Sequence, residues 1–285
     1  MFDRGSPYAL GETPSVVAVV DGTLDALGQE LTRHRRPLGQ RVAASCEDAV
    51  VLDAINAVDW GAIPGHPDWY EPARAERGLR ALADAANLVE AAEASSLLGG
   101  GGIVHGHSAA VFPAAVVATP LLLDIAQQGH PAARDAALGL VDEALSSCPH
   151  GEYTRVTTSF GAAVPICCAI AHQLRTRSAF LAGLGKRGRA LLADAAEHWR
   201  FEIRECVADS NDTAAFGALV GCFPSGVHAA ELHVGGEIAV LDEVALEYPP
   251  VDGSVEACLR VTGRRPAGLP PGAVLFPAEC GERVH

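Results

Sequence analysis

The chain has 285 residues, 49% of them apolar and only 5% aromatic, enough for a sizeable core built largely from Ala, Val and Leu. Ala is the best helix former and its small side chain lets helices approach closely, so this composition points to packed helices and away from an all-β sandwich. A formal charge of −14, from 21 basic and 35 acidic residues, argues against nucleic acid and against an anionic membrane surface, both of which need clustered Lys and Arg.

The stretch MFDRGSPYALGETPS lacks a basic start followed by an apolar run, so no signal peptide is expected. The longest apolar run, Ala109 to Leu123, is too short for a membrane span and contains Pro113 and Pro120. A soluble cytoplasmic protein is the expectation. Eight cysteines show no C-x-x-C pair and no regular spacing, which indicates neither a zinc ribbon nor a disulfide framework. Reduced thiols are expected. Cys167 and Cys168 fall on a predicted helix, where neighbours point about 100° apart, so both are assigned to the core and no metal site is expected.

Apolar residues at steps of three and four mark the predicted helices in chain order. Val16, Val20, Leu24, Leu27 and Leu31 stripe residues 15–31, and Val42, Cys46, Val50 and Ala54 stripe 41–57. The segment DWGAIPGHPDWYEP, 59–72, breaks helicity with prolines and glycines. A long pattern then runs from Ala73 to Leu98, ended by four glycines, 99–102. Pro113 stands where a first-turn proline belongs, opening a helix to about Gln128. Pro120 should kink it. Gly129-His130-Pro131 stops it and starts a returning helix striped by Leu138, Val141 and Leu145. Further helices are expected at about 161–182, 187–208 and 212–221, the middle one from Leu192, Ala195, Trp199, Ile203 and Val207.

After Pro224 the period changes. Val244, Leu246 and Tyr248 alternate with acidic residues or Ala, and Val255, Ala257, Leu259 and Val261 alternate with Glu256, Cys258 and Arg260. Two strands around a turn are expected there, with a third at 273–276.

Two segments carry a family resemblance. HSAAVFPAAVVATPLLLDIA, 107–126, resembles the part of bacterial HEAT-repeat proteins where a histidine precedes a Val-Tyr-Pro-Ala-type run and a proline-kinked helix. DWGAIPGH, 59–66, resembles the Asp-Trp segment that opens them. The likeness covers about 50–182. Ser108-Ala109-Ala110 departs from the family's pattern, and the tail after Pro224 matches nothing in it. The resemblance implies a mainly α chain, its antiparallel helix pairs stacked as an armadillo-like α-solenoid. The expected division is 1–224 for the helical repeats and 225–285 for a small β-rich tail. Each helix pair in such a stack buries its face on the next and leaves a concave surface.

The first functional expectation is therefore a scaffold binding a protein or peptide partner on that surface. The alternative is an enzyme or small-molecule binder with its pocket between the His105–His107 loop and the β tail. His107, ahead of the core helix, is the acid–base candidate, because a helix N-terminus lowers an imidazole pKa. The plainer reading has it pack or cap the loop. His105 and His107 alone cannot hold a metal without a third ligand. Trp60, Trp69 and Tyr70 either line a pocket or anchor their loop. Glu152 and Tyr153 join Cys148 and His150 in one loop as binding candidates. The four glycines follow a helix and lack a Lys-Ser/Thr ending, so no phosphate loop and no cofactor is expected.

Overall fold

In a computed structural model of the protein, residues 44–251 and 254–283 are described. The helix expected at 15–31, the first residues of the one at 41–57 and the basic run at 33–36 lie outside them.

Among the described residues, eight helices build one lobe: α1 (Ala44–Asn56), α2 (Pro72–Asp84), α3 (Leu88–Gly99), α4 (Ala114–Gln128), α5 (Pro131–Ser146), α6 (Ile166–Thr176), α7 (Ser178–Gly183) and α8 (Lys186–Glu197). The pattern expected as one helix from Ala73 to Leu98 is two. Asn87 caps α3, its Oδ1 accepting from the Val89 and Glu90 amides at 3.0 and 3.1 Å. That break lets Leu79 and Leu82 on one helix and Ala91, Ala94 and Leu98 on the other enter one core. Pro113 caps α4, and Pro120 lies inside it with ten buried residues around it. The packing of those residues compensates for the amide that proline cannot offer to Val116. Pro131 opens α5, where the His130 ring accepts from the Ala132 amide.

The second lobe is a closed antiparallel barrel. Its strands are β6 (Arg200–Asp209), β7 (Asp212–Val220), β8 (Val227–Val234), β9 (Glu237–Tyr248), β10 (Glu256–Val261) and β11 (Val274–Pro277). They run in the order β10-β7-β6-β11-β8-β9. Closure leaves no unpaired edge. Trp199, Phe201, Ile203, Leu219, Leu232, Leu241, Leu259 and Leu275 fill a core separate from the helical one. Gly217 marks where β7 and β6 come closest, since a side chain there would meet the Glu202 carbonyl.

This architecture overturns the mainly α, HEAT-like solenoid: a helical lobe is joined to a six-stranded barrel. The error lies at 199–220. Trp199, Phe201 and Ile203 alternate with Arg200, Glu202 and Arg204, a strand pattern that also satisfies a three-and-four count when Val207 is included. The Ala-rich β7 reads as helix by propensity, yet pairing on both sides makes it a strand. The strands expected at 242–248, 254–262 and 273–276 are β9, β10 and β11, and the barrel begins at Arg200, ahead of Pro224.

Three short strands, β1 (Val104–His105), β2 (Ala110–Val111) and β3 (Cys148–Pro149), form one small sheet. A hairpin, β4 (Arg155–Thr158) and β5 (Gly161–Pro165), leads into α6. It also holds the barrel: Arg155 donates to both Glu231 oxygens, at 2.8 and 2.5 Å. After β11 the last helix, α9 (Ala278–Glu282), returns to the helical lobe, where Phe276 and Cys280 join its core. Among the described residues, no helix is long and apolar enough to cross a membrane.

Candidate metal centre

Four soft donors meet where the two lobes join. The sulfurs of Cys167, Cys168 and Cys280 and a ring nitrogen of His198 all lie within 4.8 Å of one another. Cys167 and Cys168 are in the first turn of α6, His198 is the residue after α8, and Cys280 is in α9. The three cysteines are buried. His198 Nδ1 stands 3.2 Å from Cys280 Sγ. Arg175 fixes the turn that carries His198, donating to the carbonyls of Ala195 and His198 at 2.5 and 3.2 Å.

Neighbouring helical residues do point about 100° apart, yet both cysteines reach this site. Every Cα–Cβ bond of a helix leans toward its N-terminus. A point off the first turn of α6, between the two directions, is therefore within reach of both sulfurs. Both do lie in the helical core, as expected, but the expectation that they cannot face one site is overturned. Pro165 precedes the helix and no side-chain hydrogen bond caps it, so the first-turn amides add positive potential beside the sulfurs.

The three thiols do not titrate alike. Hydrogen bonds from Cys168 and Cys280, set against burial, hold the Cys167 thiol well below its ordinary range. Burial, then the hydrogen bond with Cys167, pushes Cys168 up. Cys280 is raised chiefly by its hydrogen bond to Cys167. Arg283 donates to the carbonyls of Leu145 and Ser146 at 3.5 and 2.8 Å. One side of the cluster opens to a cleft of about 470 Å³, walled by His198, Cys280, Arg283, Asp194, Glu197 and Glu279.

The residues singled out in the sequence gather elsewhere, on the helical lobe. Trp69 stacks on His105 at 5.4 Å and meets the rings of His66 at 5.1 Å and His150 at 4.2 Å. Ser108 Oγ and His105 Nδ1 share a 2.7 Å hydrogen bond. His107 is exposed at the turn between β1 and β2, its ring 6.1 Å from that of His105. Residues 108–113 lie between it and α4, so it does not stand in that helix's first turn. Trp60 and Tyr70 are buried anchors: the indole N–H donates to the Ile55 carbonyl at 3.1 Å, and the Tyr70 hydroxyl to the Trp60 carbonyl at 3.1 Å. Burial pushes the Tyr70 phenol far up. Glu152 and Tyr153 adjoin in the loop after β3, and burial, then the Glu152 charge, raises the Tyr153 phenol.

The four-donor cluster joins residues up to 113 positions apart, Cys167 to Cys280, so no spacing rule could have found it. Its one local signal is the adjacent cysteine pair. Compared with family models, curated proteins and solved structures, the chain matches none.

Proposed function

We propose that this chain is a zinc protein whose metal is structural and fastens the segment leaving the barrel to the helical lobe. The convergence of three sulfurs and one imidazole nitrogen within 4.8 Å carries this reading. A set of three thiolates and one imidazole favours zinc over hard cations. With Zn–S bonds near 2.3 Å, the donors of a tetrahedral site stand about 3.8 Å apart, so the four atoms need close in only slightly. Four protein donors fill the tetrahedron and leave no place for a catalytic water. Three thiolates around a divalent ion carry one net negative charge, offset by Arg283, Arg175 and the start of α6.

Protein produced with added zinc should contain one zinc per chain by elemental analysis. Cobalt in its place should give the visible absorption of a tetrahedral thiolate complex. Cys168→Ser and His198→Ala should each lose most of the metal. A wild-type chain purified without zinc, and unable to take up zinc or cobalt, would sink the proposal.

A second reading, recognition of a peptide or small molecule by the helical lobe, is favoured by the rings gathered around Trp69, which combine apolar faces with polar edges. His107→Ala should change stability by less than about 0.5 kcal/mol, as is usual for an exposed side chain. Trp69→Ala, and more weakly His107→Ala, should then reduce the fluorescence response to any ligand docking on this face. A ligand whose affinity neither substitution alters binds elsewhere.

A further inference from the structure

The metal centre has one open side and one closed side. All three cysteines are buried, but Cys280 and His198 line the cleft and Cys167 and Cys168 do not. Cys280 sits in α9, a helix of five residues, whereas α6 has eleven. Resting on the zinc reading above, we infer that Cys280 is an oxidation site, and that a two-electron oxidant such as hydrogen peroxide replaces the metal link between α9 and α6 with a disulfide from Cys280 to a cysteine of α6.

The partners follow from geometry. Consecutive Cα atoms lie about 3.8 Å apart across a trans peptide, whereas disulfides need about 4.4–6.8 Å. Cys167 and Cys168 therefore cannot pair with each other without distorting the helix, and a disulfide within the cluster must include Cys280.

The reaction balances in two steps. The Cys280 thiolate attacks one peroxide oxygen, the O–O bond breaks, and a sulfenic acid forms while the departing hydroxide takes a proton to become water. Cys167 or Cys168 then attacks the Cys280 sulfur, forming the S–S bond and expelling the sulfenic oxygen, which leaves as a second water with another proton. Two thiolates lose two electrons, and one peroxide gains them. A zinc ion left with one cysteine and His198 would dissociate.

The test is to titrate zinc-loaded, full-length protein with hydrogen peroxide. Its zinc content is measured beforehand, released zinc is read with a chromophoric chelator, and crosslinks are mapped by mass spectrometry. One zinc should leave per disulfide formed, the crosslink should join the peptides of α6 and α9, and a dithiol reductant with added zinc should restore the starting state. Cys280→Ser, if it folds, should form no crosslink to α6. In Cys222→Ser, which lacks an exposed thiol outside the cluster, the wild-type response should persist. A crosslink through Cys148, or zinc loss with only sulfinic acid at Cys280, would overturn the inference. So would zinc that stays bound while Cys222 oxidises. A chain with no zinc before the oxidant is added would instead sink the metal reading, and this inference with it.

Discussion

Glu231→Ala is expected to destabilise the protein by about 3–5 kcal/mol, the usual cost of removing one partner from a buried ion pair. Domains of ordinary stability hold about 5–15 kcal/mol in total, so this single change could leave a marginal fold. Arg155 grips the carboxylate with two hydrogen bonds, and the His233 Nε2–H donates to it at 3.1 Å. The Glu231 side chain is only 5% exposed. Alanine would leave the guanidinium and the imidazole facing a gap between hairpin and barrel. Urea unfolding should show the loss as a lower midpoint. Arg155→Met combined with Glu231→Leu should recover most of it, because an apolar pair leaves no buried charge. A loss under about 1 kcal/mol in the single variant would mean that the lobes do not depend on this contact.

The same junction fixes the acid side of the stability profile. Burial alone would raise Glu231, but its hydrogen bonds and charge interactions with Arg155 and His233 outweigh it and hold the carboxyl below its ordinary range. Its contribution is thus complete above the unfolded carboxylate pKa, about 4.3, and is lost as pH falls through the lower folded value. His172 acts in a higher window. Burial, with the charges of Arg200 and Arg175, lowers it to about 4, against about 6.5 unfolded. The unfolded chain binds that proton first, so stability falls from about pH 6.5 down to about pH 4. His172→Gln should flatten that part of the curve, leaving the Glu231 step below it.

Those two residues also show what the sequence makes legible. His172 lies in the stretch expected as one helix at 161–182, which is instead strand β5 followed by α6 and α7, whereas α4, α5, β9 and β10 are clear from period alone. Segments 200–209 and 212–220 are not. Nine or ten residues with mixed spacing satisfy two periods, and barrel closure, a long-range fact, decides between them. The ring cluster was half visible, since Trp69 and His105 stood out as residues but their stacking did not. The metal centre was least visible. Its ligands come from two helices and the residue after a third, brought together only when α9 folds back from the barrel. The Arg155–Glu231 pair, 76 residues apart, is hidden for the same reason.

Removing the metal is the change expected to separate the protein's parts. A ligand held only by the folded state adds about 4 kcal/mol when its free concentration is 1,000-fold above Kd. For a chain near this size, that corresponds to a fall in Tm of about 8–16 °C on chelation. The loss should be uneven. None of the four ligands belongs to the barrel core, so far-UV circular dichroism at 25 °C should keep its strand signal. Cys280 and Phe276 belong to the helical core, and α9 should lose its hold there. Amide hydrogen exchange should rise first at 278–283 and in the first turn of α6, with β7 and β10 unchanged. Cys280→Ala should reproduce this pattern, and chelator should add little to it, because metal and side chain act through one link. Equal melting temperatures with zinc and with chelator would show that packing alone holds α9, and that the four donors do not fasten the lobes.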